Sequence, residues 1–363
     1  MAFERYRICE FDKYAIASYN AVHGTNFPAS DITKITADDL AIVDTDAYCY
    51  ILTYSFPCQD LSCAGKMLGM GKGTRSGLLW EVERLLDECT ELPQVLLMGN
   101  VTQVHGKKNA DNFAKWCDKL QSLGYKNYWR DLNAKNFGIP QSRNRTFMVS
   151  LLGDYNYEFP AERPLECRLK DVLEDEVEEK YYLSKKMQNY LFTITEKNKE
   201  RGNGNLYSPS DLNGVSKTIT TKEGSRVKDN FNECLAYDEQ NCLVRQDGCI
   251  GTLTTDGSSP KHNNHIIEVW DGYNQRVRAE KGIVGTLTQN CGADFKRNGQ
   301  AVITYDGGLR IRKLTPKECW RLMGFTDEDF AKAKQVCSDS QLYKQAGNSI
   351  VVDVLEAIFK KLL

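Results

Sequence analysis

The chain has 363 residues, a formal net charge of −2 and a hydrophobic fraction of 41%. This length can bury one large core and a second domain, whereas no apolar run is long enough to cross a bilayer. The 13 cysteines include no Cys-x-x-Cys pair and the four histidines are scattered, so we expect a reduced, cytoplasmic chain without a structural metal. No basic-then-apolar leader opens the sequence, which argues against export. A charge so near zero favours binding to a polyanion only where basic residues gather on one surface.

The first feature along the chain is an acidic residue, Glu10, at the end of a short predicted strand. In α/β folds a carboxylate in such a place binds both ribose hydroxyls of a nucleoside cofactor. Without further context, a surface glutamate that has no ligand is the simpler interpretation.

A cysteine follows the next predicted strand. The apolar, aromatic-rich run at 48–54 predicts a buried strand, Pro57 ends it, and Cys58 lies on the turn. Ligands and reacting groups gather at this edge of an open α/β sheet. A glycine-rich basic loop at 65–75 comes next, so the thiol fits a nucleophile that acts on a polyanion. For any one of the cysteines, however, a buried thiol without chemistry is the default.

A second buried strand is predicted at 91–98, and it leads into Gly-Asn-Val at 99–101. The pattern then predicts an amphipathic helix at 113–123 and a short strand at 126–130.

Two arginines, Arg143 and Arg145, alternate in the run Gln-Ser-Arg-Asn-Arg at 141–145. In an extended segment they project to one side, an arrangement suited to gripping a phosphate and a base carbonyl. The alternative is a solvated strand face.

The composition shifts to Thr, Asn, Gly and Lys between residues 183 and 308. Three Thr-rich runs begin at Thr218, Thr252 and Thr286, a constant spacing of 34, and each precedes a polar basic loop and an apolar strand. This period predicts one small β unit used three times. Short threonines and basic loops suit contacts to base edges and phosphates, whereas the alternative is a Thr-rich β domain without a nucleic-acid role.

Taken in order, these motifs resemble those of the cytosine-5 DNA methyltransferases of bacterial or phage type. The matching stretches are Pro-Cys-Gln at 57–59, Arg-Ser-Gly-Leu at 75–78, Gln-Ser-Arg-Asn-Arg at 141–145, the run from Arg312 to Phe325, and Gln-Ala-Gly-Asn-Ser-Ile at 345–350. The resemblance covers nearly the whole chain.

The resemblance implies an α/β fold, with a Rossmann-like S-adenosylmethionine-dependent methyltransferase domain and a smaller, mostly β target recognition domain. We expect an N-terminally incomplete catalytic domain at 1–182 and the recognition domain, with its three repeats of about 34 residues, at 183–308. C-terminal helices at 309–363 then rejoin the catalytic domain.

The resemblance also implies a reaction, in which Cys58 attacks C6 of a flipped cytosine and C5 takes the methyl group of S-adenosylmethionine. Arg143 and Arg145 are expected to assist at the reacting base. The expected cofactor contacts are Glu10, Asp31, Pro57 and Asn348. The expected DNA contacts are Gln59, Lys72, Arg75, Thr252, Thr286, Lys296 and Arg297. We expect a monomer in a bacterial or phage-infected cell that acts on double-stranded DNA, with or without a cognate restriction enzyme.

Two departures from the family pattern predict impaired activity. No segment supplies the family's first motif, Phe-x-Gly-x-Gly, so the chain is expected to be truncated, mis-started or split, with a complementing N-terminal fragment as a partner. Gly99 stands where the family has a glutamate that activates the cytosine ring, a kind of help that typically contributes about 10²–10⁴-fold. The two departures are expected to act on different steps, cofactor binding and ring activation.

Two alternatives remain open, a catalytically inactive, sequence-specific DNA-binding homologue and one part of a split methyltransferase. An RNA methyltransferase is disfavoured because the three-unit domain exceeds what a small-RNA enzyme of this family carries.

Overall fold

A computed structural model describes residues 7–57, 75–202, 210, 213–221 and 311–362, and six short strands between residues 231 and 304. The helices are α1 (Lys13–His23), α2 (Ala37–Leu40), α3 (Leu79–Glu88), α4 (Ala110–Ser122), α5 (Lys185–Glu200), α6 (Pro316–Arg321), α7 (Asp327–Lys334), α8 (Asp339–Asn348) and α9 (Val352–Leu362). Short 3-10 helices lie at Arg75–Leu78, Thr102–His105, Ala134–Phe137, Leu169–Val172 and Glu179–Tyr181. None of the helices in these ranges is both long and apolar enough to cross a membrane.

The chain divides into two compact units. The first contains Met1–Glu174, Asn213–Asp229 and Thr315–Leu363, and the second contains Asp175–Leu212 and Asn230–Leu314. The first Thr-rich run, at 218–221, therefore lies in the first unit, although the expected recognition domain began at residue 183. The second and third runs fall outside the described residues. The assignment of the second unit to DNA recognition stays a prediction.

The first unit contains a mixed four-stranded sheet. Its strands are β1 (Ile51–Tyr54), β2 (Val95–Asn100), β3 (Tyr125–Asn133) and β4 (Asn144–Leu152), in the order β1-β2-β4-β3. β1 and β2 are parallel, and α3 lies within the crossover that a parallel pair requires. β4 is antiparallel to both β2 and β3. Within the described residues β1 has a neighbour on one side only, so it forms an edge of the sheet.

The core lies between this sheet and two amphipathic helices. Apolar residues recur at a helical spacing of three and four positions on α3 and α4, so each helix presents one apolar stripe to the sheet. The buried members of the two stripes are Leu79, Val82, Leu86, Phe113, Trp116 and Leu120. Full burial of each such side chain contributes roughly 1.5–3 kcal/mol. The indole of Trp116 donates to the Tyr54 hydroxyl at 2.9 Å, which fixes α4 to the end of β1.

The C-terminal helices begin at well-formed caps. Thr315 and Glu318 form the capping box of α6, and Thr326 and Asp329 form that of α7. These caps satisfy the free backbone amides of each first turn and so set where the helices begin.

The described part of the second unit contains α5 and short antiparallel strands. These are β5 (Phe231–Glu233), β6 (Ala236–Asp238), β7 (Leu243–Arg245), β8 (Ile266–Asp271), β9 (Arg276–Val277), β10 (Gln300–Thr304) and β11 (Ile311–Lys313). They pair as β10-β8-β9, β11-β5 and β6-β7.

Candidate functional site

A pocket of about 350 Å³ lies between the segment that precedes α1 and the turn at 29–35. It is lined by Phe11, Ala29, Ser30, Asp31, Lys34 and Ile35. The Phe11 ring is 74% exposed, which is unusual for an aromatic side chain in a folded protein. An exposed ring beside a carboxylate offers a flat ligand both a stacking surface and a hydrogen-bond acceptor. Sequence reasoning missed Phe11, although its place directly after Glu10 was a usable signal.

Backbone and side-chain hydrogen bonds hold this pocket together. Ser30 N donates to Glu10 O at 2.9 Å and so joins the two walls. The Asp31 carboxylate accepts from Thr33 N at 3.0 Å and from Thr33 Oγ1 at 2.9 Å. These bonds lower the pKa of Asp31, so the carboxylate is ionised at neutral pH. Glu10 Oε1 accepts from Asp12 N at 2.8 Å, which leaves its second oxygen available to a ligand within the described contacts.

Glu10 does not lie at the end of a strand, and this part of the sequence analysis was wrong. Residues 7–12 have no regular secondary structure in the described chain. A strand forms only where a neighbouring strand completes its hydrogen bonds, and the described residues provide none beside this segment. Glu10 is positioned instead by its hydrogen bond with Asp12, the N-cap residue of α1.

α8 carries Asn348 and packs against the start of α1. Lys344 Nζ lies 2.6 Å from Asp12 Oδ2, and Gln345 Nε2 donates to Tyr14 O at 3.0 Å. Burial of Asp12 opposes its ionisation, but its hydrogen bonds to Lys344 and to the Tyr14 amide outweigh burial and lower the pKa of Asp12. The exposed Asn348 at the end of α8 is thus joined, through its helix, to the segment that carries Glu10.

The ends of β1 and β2 are joined by one buried side chain. Asn100 Nδ2 donates to Phe56 O at 3.1 Å, while Asn100 Oδ1 accepts from Val101 N at 2.8 Å. Phe56 and Asn100 are buried, so this bond fixes the backbone two residues before Cys58. Pro57, which follows Phe56, is the last described residue after β1.

Several predicted site residues cannot be placed by this geometry. Cys58, Gln59, Lys72, Thr252, Thr286, Lys296 and Arg297 lie outside the described residues. Arg75 is the first residue of a 3-10 helix. Their roles stay predictions.

The two arginines of 141–145 occupy different environments, contrary to the alternation expected for an extended strand. Residues 141–143 lie outside the sheet, where Gln141 N donates to Ile139 O at 2.7 Å and Arg143 N to Gln141 O at 3.0 Å. Arg143 is 3% exposed, and its guanidinium donates to Ile219 O at 2.9 Å. It also donates to Gly347 O and Ser349 O, at 2.9 and 2.8 Å, where α8 ends; this C-terminal end of α8 is called the 347–349 turn. Arg145 is partly exposed. Arg143 therefore organises the backbone, and Arg145 remains the candidate for contact with a substrate.

A polar cluster lies at the same end of the sheet, on the α4 side. His105 Nε2 lies 3.1 Å from Asp131 Oδ1, and Thr146 Oγ1 donates to the same oxygen at 2.6 Å. The imidazole lies against the exposed Trp129 ring, with 4.7 Å between centroids. Sequence reasoning did not identify this cluster, because its members come from three separate elements. The described residues include no group of His, Cys, Asp or Glu arranged to hold a metal.

Comparison with known proteins identifies the family. The whole chain, residues 1–363, matches the family model for C-5 cytosine-specific DNA methylases. The chain belongs to this family. It is 34% identical to the type II methyltransferase M2.ScrFI of Lactococcus lactis subsp. cremoris over 85% of this chain and 65% of that protein's length. It is 30% identical to the orphan methyltransferase M.SPRI of Bacillus phage SPR over 100% of this chain and 92% of that protein.

The fold has a counterpart in the crystal structure of the S. pombe Dnmt2 methyltransferase. The TM-score is 0.61 at 18% identity, over 99% of this chain and 90% of that one. The likeness confirms the predicted α/β fold. The family is one of DNA methyltransferases, as the ordered motifs predicted.

Gly99, where a family glutamate was expected, is closely packed. It lies in β2 opposite Phe147 of β4. A β-carbon on Gly99 would lie 2.7 Å from Ile350 Cδ1 and 3.5 Å from Phe147 Cε1. The Ile350 side chain therefore occupies the space into which a side chain at residue 99 would project. A methyl group of Ile350 therefore lies where the side chain of the glutamate expected from the resemblance would begin.

Proposed function

We propose that the chain transfers a methyl group from S-adenosylmethionine to C5 of a cytosine flipped out of a specific duplex DNA site. The observation that carries the proposal is the position of the 347–349 turn and of Ile350, which follows it. Arg143 holds its carbonyls, Ile350 packs on Gly99, and α8 joins it to the Glu10 segment. A cofactor bound in the pocket and a cytosine bound at the ends of β1 and β2 would therefore lie on opposite sides of this turn.

The pocket residues suit S-adenosylmethionine. Phe11 offers its face to the adenine, Asp31 an ionised acceptor to the adenine amine, and Glu10 a carboxylate to the ribose hydroxyls. Asn348 would approach from α8, and Pro57 from the end of β1. The cofactor supplies an electrophilic methyl group when it is bound.

Cys58 would act as the nucleophile. Its thiolate adds to C6 of the cytosine, which makes C5 nucleophilic, and it leaves again when the C5 proton is lost. A neighbouring cation lowers the pKa of a thiol, and Arg145 is the candidate for that cation. The Asn100–Phe56 hydrogen bond supports this role because it fixes the backbone that leads to Cys58.

Methyl transfer by this chain is proposed to be impaired. Gly99 has no group that can polarise the cytosine ring, and Ile350 fills the space that such a group needs. This packing also favours the second candidate function, a catalytically inactive homologue that binds specific DNA sites. A monomeric state and a cytoplasmic location complete the proposal, with or without a cognate restriction enzyme.

A covalent trap tests the proposal. The chain is incubated with S-adenosylmethionine and duplex DNA that contains 5-fluorocytosine, which blocks release because C5 has no proton to lose. We expect a covalent adduct at Cys58, and tritium from labelled cofactor in the product. Cys58→Ser should abolish the adduct, whereas Cys49→Ser, a change at an exposed cysteine, should not. Specific DNA binding without an adduct would support the inactive homologue instead.

A further inference from the structure

The pocket wall at 29–35 contains no helix or strand. Its turn is closed by a hydrogen bond from Lys34 N to Asp31 O, at 2.9 Å. An irregular segment of this kind keeps a single conformation only when side chains from other elements hold it, because ordering each residue costs conformational entropy. In the described chain, α3 provides such a side chain, Arg84.

The Arg84 guanidinium bonds to the backbone of this wall at two points. Its Nη2 donates to Ile32 O at 3.0 Å and to Ile35 O at 2.9 Å. The two carbonyls lie on either side of Thr33 and Lys34 in the chain, so one nitrogen sets the distance across the turn. Bonds from a charged donor are stronger than those from a neutral one. The guanidinium therefore fixes the shape of the turn.

The remaining donors of Arg84 hold the guanidinium itself in one orientation. Nε donates to Glu81 Oε2 at 2.9 Å, and Nη1 donates to both carboxylate oxygens of Glu88, at 2.9 and 3.0 Å. Glu81 and Glu88 lie on the same face of α3 as Arg84, about one turn before and after it. With these contacts, each N–H donor of the guanidinium has an acceptor. A lysine, with a single ammonium on a flexible stem, cannot reproduce this planar arrangement.

The helix that carries Arg84 is anchored in the core of the first unit. Leu79, Val82 and Leu86 of α3 belong to the core cluster, and Ile32 packs against the same cluster while partly buried. The Arg84 side chain lies at the rim of this contact and is 32% exposed. The position of the pocket wall is thus determined by α3, through Arg84.

The turn that Arg84 holds also orients the Asp31 carboxylate. Thr33 N and Thr33 Oγ1 both donate to Asp31 Oδ1, and Thr33 directly follows Ile32, whose carbonyl Arg84 holds. Asp31 Oδ2 has no partner among the described contacts. Because an ionised carboxylate only accepts hydrogen bonds, the direction of Oδ2 decides which donor of a ligand it can reach.

We propose that Arg84 is a positioning residue that makes the pocket select its purine. By holding the carbonyls of Ile32 and Ile35 it directs the Asp31 carboxylate, so that the pocket accepts a purine with an exocyclic amino group and rejects one with an oxo group in that place. Arg84 is not among the residues that line the pocket, so its effect is indirect. The inference rests on the proposed function, which places the adenine of S-adenosylmethionine in this pocket.

Two compounds that differ at one position of the purine test this selection. S-Adenosylhomocysteine carries an amino group that donates to Asp31, whereas S-inosylhomocysteine carries an oxo group there and has a donor only at the neighbouring ring nitrogen. A displaced carboxylate can reach that ring nitrogen, but a fixed one cannot. Titration calorimetry on the full chain measures both dissociation constants. We expect the native chain to bind the adenosyl compound about 10- to 150-fold more tightly, the effect of one hydrogen bond to a charged group.

Arg84→Lys is the test variant and Arg321→Lys is the matched control. Arg321 also binds a carboxylate with two nitrogens, that of Asp327, and donates to two backbone carbonyls, but it lies on α6. We expect the ratio of the two dissociation constants to fall toward one in Arg84→Lys and to keep its native value in Arg321→Lys. Partial unfolding weakens the binding of both compounds equally, so it leaves the ratio unchanged. A ratio in Arg84→Lys within about twofold of the native one, the scatter of independent sites, would overturn the inference.

Hydrogen exchange tests the hold of Arg84 on the turn without any ligand. Peptide-level exchange at 31–36 should rise in Arg84→Lys and stay at the native level in Arg321→Lys, and unchanged exchange in both would overturn the inference. A native chain that selects the adenosyl compound but is insensitive to Arg84→Lys would refute this inference alone. A native chain that binds neither compound would refute the proposed function, while the exchange experiment would still decide whether Arg84 holds the turn.

Discussion

Replacing Gly99 by alanine tests whether the Ile350 side chain fills the space that a side chain at residue 99 would need. The added β-carbon would lie 2.7 Å from Ile350 Cδ1, whereas Ile350 Cγ1, at 3.6 Å, is at an ordinary contact distance. Shortening Ile350 to valine removes the close carbon and leaves the other in place. A double-mutant cycle of Gly99→Ala and Ile350→Val therefore isolates one contact.

The expected magnitudes follow from that geometry. Overpacking a buried site costs about 1–3 kcal/mol, and the lower half applies here because the close atom ends a flexible side chain. Alanine is more favourable than glycine inside a strand by about 0.5–1 kcal/mol. Gly99→Ala alone should thus lower the free energy of unfolding by about 0–1.5 kcal/mol, but should raise it by about 0.5–1 kcal/mol in the Ile350→Val background. The coupling between the two changes is expected to be about 1–2 kcal/mol.

Urea unfolding measures this coupling, followed in parallel by tryptophan fluorescence and far-UV circular dichroism. Coincident transitions are the condition for a single free energy. Gly106→Ala serves as the control, since its β-carbon would meet Gln103 rather than Ile350, and it should show no coupling with Ile350→Val. A Gly99–Ile350 coupling below about 0.5 kcal/mol is within ordinary additivity and would refute the reasoning.

Three further predictions concern the pocket, the strand ends and the C-terminal helices. Phe11→Ala should weaken S-adenosylmethionine binding by roughly 5- to 150-fold, the usual effect of removing a stacking ring. Tyr48→Ala, a change at another exposed ring, should leave the affinity unchanged, and titration calorimetry measures the dissociation constants of both variants. Asn100→Asp replaces a buried donor by an acceptor and should lower the free energy of unfolding by about 1–3 kcal/mol, measured in urea. The hydrogen bond with Arg321 lowers the pKa of Asp327 to about 2. The stability that this hydrogen bond provides is present above the ordinary pKa near 4 and is lost as pH falls through about 2. Asp327→Asn should therefore lower the melting temperature at pH 7, and the difference in melting temperature between the native chain and the variant should shrink between pH 4 and pH 2.5. A difference that stays constant over this range would contradict the prediction.

Local patterns predicted the regular elements of the first unit well. Continuous apolar runs at 48–54 and 91–98 predicted buried strands, and the structure has β1 and β2 there. β2 is buried throughout, whereas β1, at the edge of the described sheet, is only partly buried. The helical spacing at 113–123 corresponds to α4, and the prediction at 126–130 to β3. These elements are determined by periodicity over a few neighbouring residues, which a sequence displays directly.

The parts that could not be predicted depend on contacts across long sequence separations. Arg143 and Arg145 are alike in sequence, yet one is buried because residues 219 and 347–349 supply its acceptors. Residues 7–12, around Glu10, form no strand because no neighbouring strand pairs with them in the described chain. The burial of a side chain and the pairing of a strand depend on residues that are distant in sequence, so a local sequence pattern cannot show them.

The same long-range contacts change how the two departures from the family pattern relate to each other. From the sequence, the two departures were expected to act on separate steps, Gly99 on activation of the cytosine ring and the absence of the glycine motif on cofactor binding. In the structure, the side chain that fills the space beside Gly99 belongs to Ile350, two residues after Asn348. Arg143 holds the carbonyls on either side of Asn348, so this turn has little freedom to move aside. A glutamate introduced at residue 99 would push on Ile350 and, through the turn, on Asn348. Under the proposed function, we therefore expect that Gly99→Glu restores methyl transfer only when Ile350 is shortened at the same time, because otherwise the gain at the base is offset by a loss at the cofactor.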